Sequence, residues 1–147
     1  MIAVDTNILV YAHREEAQFH AVAAERIAEL AEGRATWAIP WACMHEFYGV
    51  VTNPRVFNPP TKPAVAMDTI DGWLEAPRLQ MLHESADHWI ILTRLLRESK
   101  AVGGRVHDAR IAAICLGNGV REIWSADRDF KRFAGLAVRN PLRDGVA

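Results

Sequence analysis

The chain has 147 residues, half of them hydrophobic, with 17 Lys and Arg against 18 Asp and Glu and a pI near 6.6. That length and composition point to a single α/β domain over residues 1–147 with enough apolar material for a full core. A net charge of -1 excludes the pervasively basic surface of many nucleic-acid binders, so any such activity must rest on local features.

Ile2–Val4 reads as a first strand, delivered directly into Asp5, and 7–13 as a short helix that Thr6 or Asn7 can cap. A helix over 18–32 follows, because Phe19, Val22, Ala23, Ile27, Leu30 and Ala31 share a face and Gly33 stops it. Residues 36–39 form a second strand, and Pro40 opens a helix carrying Cys43, Met44, Phe47, Tyr48, Val50 and Val51. The segment TNPRVFNPP, 52–60, is a loop that could shape substrate access or simply connect. Thr61 can cap a helix through Ala76. Residues 79–82 are a third strand, and Ser85 caps a helix bearing Trp89, Leu92, Leu95 and Leu96 that Gly103-Gly104 breaks. Asp108 begins a helix ended by Gly117 and Gly119, followed by strands at 122–124 and 136–138. Strands alternating with helices predict an α/β fold with a mainly parallel sheet, whose strand ends and helix starts gather at one edge.

No apolar run reaches the roughly 18 residues of a membrane span. The amino terminus lacks the basic and apolar regions of a signal peptide, which predicts a cytoplasmic protein. Cys43 and Cys115 form no CxxC motif and fall in apolar helical patterns, as core thiols do.

The carboxylates separate into two groups. Asp5 ends the first strand, Glu46 lies in the second turn of the helix after strand two, and Asp108 lies in the first turn of the helix before strand four. Asp127 and Asp129 follow strand four in SADRDF. All five are expected near one edge. Most other acids are interleaved with polar residues and read as solvated. Clustered carboxylates raise one another's pKa unless a cation neutralises them. Oxygen-rich clusters suit Mg²⁺ or Mn²⁺, which can polarise a phosphodiester and ready a water for attack. Taken singly, each acid could be a turn residue, a cap or a helix-dipole partner; the joint arrangement carries the metal reading.

In order along the chain, VDTNILVYA, Glu46 within WACMHEFYGVVTNP, the block VHDARIAAICLGNGV, and SADRDF followed by FAGLAVRNPL form a specific set. Together they resemble the PIN-domain ribonucleases, and within them the VapC-type toxins of bacterial toxin–antitoxin pairs. The resemblance implies a three-layer α/β/α sandwich with five strands ordered 3-2-1-4-5. Asp5, Glu46, Asp108 and Asp127 would then be the catalytic quartet. Asp5, Asp108 and Asp127 would hold Mg²⁺ or Mn²⁺, with Glu46 completing the site or orienting water and Asp129 an accessory acid. Thr6 and Ser125 would support the acids through hydrogen bonds. The resemblance further implies cleavage of RNA, one metal ion or two, a homodimer, and a VapB-like antitoxin encoded beside the gene. Two alternatives remain open: an RNA-processing PIN nuclease without toxicity, and a non-catalytic protein whose acidic pocket grips an arginine-bearing partner.

Arg105, Arg110, Arg128, Lys131 and Arg132 flank the acidic motifs and could hold an RNA backbone. Trp41, Tyr11 and Phe57 could stack bases, with core packing the simpler expectation. Trp73, Trp89 and Trp124 read as core or dimer interface. His13, His45 and His107 lie close to the acids in sequence, but HEFYG does not continue to the second histidine of HExxH, so histidine ligation is not expected.

Overall fold

The computed structural model describes residues 1–143. The elements run β1 (Ile2–Val4), α1 (Thr6–His13), α2 (His20–Glu32), β2 (Trp37–Pro40), α3 (Trp41–Val51), α4 (Pro63–Leu74), β3 (Leu79–Leu82), α5 (His88–Ser99), α6 (Arg105–Gly117), β4 (Glu122–Trp124), a 3₁₀ turn (Arg128–Arg132) and β5 (Ala137–Arg139). The sheet has five parallel strands in the order β3-β2-β1-β4-β5, as expected. Parallel crossovers are right-handed. The chain moves one way from β1 to β3 and the other way from β3 to β5, so the helices divide between the two faces. Accordingly α1 packs on α2 and α3, and α3 on α4, while α5 packs on α6 and α6 on the 3₁₀ turn.

The central strands explain their apolar sequences. Ala3, Val4, Ala38, Ile39 and Ile123 are fully buried beneath helices on both faces. Helix α6 is buried along Ala109 and Ile111–Cys115, more than one amphipathic stripe, because it lies between the sheet and α5. Ile8, Leu9, Phe47 and Leu95 complete a core in which Leu→Ala truncation costs about 2–5 kcal/mol. Cys43 and Cys115 are free and buried, as expected, and burial pushes the Cys115 thiol up to about 12.

Several boundaries differ from the sequence reading. Helix α6 begins at Arg105, with Gly104 as its N-cap, rather than at Asp108; Asp108 still falls in its first turn. Helix α5 begins at His88, and Ser85 contributes only its carbonyl, which accepts from the His88 amide at 3.0 Å. Thr61 does not cap α4, whose N-cap is Lys62; its hydroxyl instead meets His13 Nε2 at 2.9 Å and accepts from Arg14 Nη1 at 3.1 Å. Neither Thr6 nor Asn7 caps α1; Asp5 holds that position. Strand β5 lies one residue later than expected. Gly119 sits at φ +76°, which a side chain would strain. A Cβ at Gly117 would come within 2.5 Å of Ser85 Oγ, so this glycine permits close packing of α6.

Candidate active site

The chain reverses direction across the sheet between β1 and β4, the topological switch point where α/β folds bind ligands. Register pairs Val4 with Trp124, so the next residues on each strand, Asp5 and Ser125, leave the sheet side by side. The Asp5 amide donates to the Trp124 carbonyl at 2.9 Å, and Ser125 Oγ donates to Asp5 Oδ2 at 2.7 Å. Asn7 Nδ2 also donates to Asp5 Oδ2, at 3.2 Å, and Asn7 Oδ1 accepts from the Ala126 amide at 3.2 Å. Cys43 Sγ approaches Asp5 Oδ1 at 3.7 Å, and Thr6 Oγ1 reaches the Cys43 carbonyl at 3.5 Å, fastening α3 to the start of α1. Asp5 is 7% exposed, and burial pushes its pKa up to about 6 against the Ser125 bond that lowers it.

Ser125 serves a second acid. Its Oγ accepts from the Asp127 amide at 3.0 Å, and Asp127 Oδ1 accepts from the Asp129 amide at 2.8 Å. Asp108, from the first turn of α6, meets these two: carboxylate oxygens of Asp108, Asp127 and Asp129 lie within 4.8 Å of one another. Burial, then the charges of Asp127 and Asp5, push the Asp108 pKa up to about 6. Glu46 Oε2 lies 2.6 Å from Nε2 of His107, the residue before Asp108 in α6. The pair lowers the Glu46 pKa and raises that of His107, chiefly through this contact.

Asp5, Glu46, Asp108 and Asp127 therefore line one open cleft of about 350 Å³. Its remaining wall is apolar, from Val10, Tyr11, Val50, Val56 and Phe57. The 52–60 loop thus contributes to the cleft, held by Arg14 Cζ 4.4 Å above the Phe57 ring and by Arg14 Nη2 donating to the Pro59 carbonyl at 2.9 Å. Three adjacent carboxylates with oxygens this close fit a hard divalent cation. Asp129 belongs to that trio more closely than Asp5, whose oxygens are engaged within the fold. Asp5 and Glu46 line the same cleft as Asp108 and Asp127.

A match to the PIN domain family model covers residues 2–136. The chain belongs to the PIN domain family. This PIN domain is 38% identical over 142 residues, 97% of its length and 96% of the relative's, to VapC ribonuclease Mb2897 of Mycobacterium bovis. It superposes with a TM-score of 0.68 and 22% identity on a chain of VapBC2 from Rickettsia felis bound to a promoter DNA fragment, covering 95% and 98% of the two chains. Mycobacterium tuberculosis VapC20, a toxin that cleaves the sarcin-ricin loop, superposes with a TM-score of 0.65 and 16% identity, covering 92% and 98%.

Other residues of this PIN domain fall variously against expectation. Arg110 is paired with Glu84 at 2.8 Å, and Arg132 stands 3.8 Å from Asp129. Arg105 is exposed at the start of α6. Arg128 and Lys131 line a separate small cavity beside Asp127. Tyr11 and Phe57 both pack partly into the core and line the cleft, whereas Trp41 is 37% exposed. Trp124 is buried and Trp73 packs edge-on to Phe47, but Trp89 is 67% exposed and is not core. Sequence reasoning missed Asn7 as a ligand of Asp5 and His107 as the partner of Glu46. The signals available were their positions: two residues after Asp5, and directly before Asp108. No helix among the described residues is long and apolar enough to cross a membrane.

Proposed function

We propose that this PIN domain is a divalent-metal-dependent endoribonuclease, the VapC-type toxin of a toxin–antitoxin pair. The observation that carries the reading is the convergence of Asp5, Glu46, Asp108 and Asp127, from four separate parts of the chain, on one cleft at the switch point of the sheet. The relationship to VapC ribonuclease Mb2897 across nearly the whole of both chains supports the substrate class. The likeness to VapBC2 supports a VapB-like antitoxin as partner. Residues 1–147 act as one nuclease unit, in the cytoplasm and as a homodimer.

Asp108 and Asp127, with Asp129 beside them, would hold Mg²⁺ or Mn²⁺, and Asp5 in the same cleft adds negative charge. When bound, such an ion polarises the phosphodiester and lowers the pKa of water. Ser125 and Asn7 keep Asp5 in one orientation, and Ser125 does the same for the backbone of Asp127. Glu46 orients the attacking water and takes its proton, with His107 fixing the carboxylate. The apolar wall of Tyr11, Val56 and Phe57 gives unstacked bases a surface beside the scissile bond.

Incubation of single-stranded and hairpin RNAs with the wild type and Mg²⁺ or Mn²⁺ tests the reading. Cleavage that EDTA abolishes, and that Asp127→Asn lowers at least 100-fold with an unchanged circular dichroism spectrum, is expected. Undiminished cleavage by Asp127→Asn would remove the assigned site. Growth arrest on expression without the neighbouring gene, relieved by co-expression, separates a toxin from an RNA-maturation enzyme.

A further inference from the structure

Asp127 also lines a second cavity, of about 160 Å³. Arg128, Lys131 and Arg143 line it, together with Ser125 and Asn140. Arg128 and Lys131 are three residues apart in a 3₁₀ turn, where side chains at that spacing eclipse and share a face. Arg143 arrives from the far end of the chain and is held there by structure. Pro141 and Leu142 are buried, the Leu142 amide donates to Asn140 Oδ1 at 3.0 Å, and the Arg143 amide donates to the Asn140 carbonyl at 3.3 Å. Among the described residues none of the three cations has an acidic partner, unlike Arg14, Arg110 and Arg132. Asp127 is the one carboxylate in the lining, so the three cations leave the space net positive and suited to an anion.

The size limits the ligand. The cavity of about 160 Å³ has room for several waters. That is below the ~300 Å³ at which drug-sized ligand sites begin, but ample for a tetrahedral anion. Its place limits the ligand further, because Asp127 lines both this cavity and the acidic cleft. With Asp127 bordering both spaces, adjacent phosphates of one strand could occupy the two.

We propose that Arg128, Lys131 and Arg143 form a phosphate subsite for the RNA backbone one step from the scissile linkage. The proposal rests on the ribonuclease reading for its choice of RNA over other polyanions. It makes Arg143, outside all the acidic motifs, a substrate-positioning residue, and it excludes Arg110, which Glu84 already neutralises.

The test is the salt dependence of binding to a labelled single-stranded oligoribonucleotide in EDTA, followed by fluorescence anisotropy. For single strands each phosphate contact adds about 0.7 to the slope of log K against log salt. The triple variant Arg128→Gln/Lys131→Gln/Arg143→Gln is expected to lose about 2 from that slope. All three side chains are exposed, so the fold survives their replacement. The control, Arg34→Gln/Arg78→Gln/Arg121→Gln, removes equal charge from exposed residues before β2, β3 and β4, at the opposite edge of the sheet. It is expected to keep the wild-type slope. In Mg²⁺ the cavity variant is expected to raise KM with little change in kcat.

An unchanged slope in the cavity variant, an equal loss in the control, or no measurable binding by the wild type at the lowest salt would overturn the subsite. Stronger competition by poly-glutamate than by polyuridylate of equal length, lost in the cavity variant, would reassign the cavity to an acidic protein segment. A reduced slope in a protein that cleaves no RNA would keep the subsite and remove the nuclease reading. Efficient cleavage with an unchanged slope would do the reverse.

Discussion

Ser125 Oγ donates to Asp5 Oδ2 at 2.7 Å while accepting from the Asp127 amide at 3.0 Å. One hydroxyl therefore fixes an acid from β1 and the acid-bearing turn after β4. Ser125→Ala removes a bond to a charged group and leaves the half-buried Asp127 amide without its acceptor. It is expected to lower stability by about 1–3 kcal/mol. It also removes a bond that holds the Asp5 pKa down. The acid limb of the pH–rate profile is then expected to move to higher pH; denaturant unfolding and kcat/KM against pH check both effects.

Asp108 has a pKa raised from 3.8 to about 6 by burial and by Asp127 and Asp5. The folded protein thus binds protons more readily here than the unfolded chain, and stability falls as pH rises from about 4 to about 6. Without divalent ions, Asp108→Asn is expected to stabilise the protein at pH 7.5 by about 1–2 kcal/mol, allowing for its partial exposure. The gain is expected to disappear below pH 4. Thermal melts in EDTA at the two pH values check this, and a loss of stability at pH 7.5 would count against repulsion in the cluster. Saturating Mn²⁺ is expected to reverse the order, because the wild type then gains binding free energy that the variant lacks.

Glu46 owes its lowered pKa first to His107. In His107→Ala the burial of Glu46 is left to act without that opposition. The expected outcome is a Glu46 pKa above its wild-type value and an acid limb displaced upward, with kcat reduced at pH 6 more than at pH 8. Carbon-13 NMR of labelled glutamate measures the titration directly; an unchanged Glu46 midpoint would show that the 2.6 Å contact carries no charge coupling.

Arg110 gives a contrasting expectation. Its guanidinium is engaged by Glu84 at 2.8 Å on an exposed surface, a pair worth at most about 1 kcal/mol. Arg110→Gln is expected to leave RNA affinity and kcat/KM within about twofold of wild type, although its sequence position suggested a backbone contact. A drop comparable to that of the cavity variant would extend the RNA path along α6.

The strands were legible because Ile2–Val4, 36–39, 79–82 and 122–124 are short apolar runs bounded by polar or turn-forming residues. The acids were legible because Asp5, Glu46 and Asp127 interrupt or end such runs, where burial without a purpose is costly. Helix starts were less so. Gly103-Gly104 reads as an end, and only the structure makes Gly104 the N-cap of the next helix. Ser85 reads as a cap, yet the chain needs two more residues before α5 can begin. Asn7 and His107 act on acids 2 and 61 positions away along the chain. The second distance is set by sheet topology, and its one local signal is the place of His107 directly before Asp108. Arg143 lies 15 positions from Arg128 and is brought back beside it by the return of the chain through β5.

Direct titration of Mn²⁺ into the protein, followed by electron paramagnetic resonance, asks whether these dispersed acids hold one ion together. Wild type is expected to bind Mn²⁺ at a site that Asp127→Asn and Asp108→Asn each weaken by at least tenfold. Asp5→Asn is expected to weaken it less, and Asp68→Asn, an exposed residue of α4, not at all. Equal Mn²⁺ affinity in the wild type, Asp127→Asn and Asp108→Asn would contradict a shared cation site and the nuclease chemistry built on it.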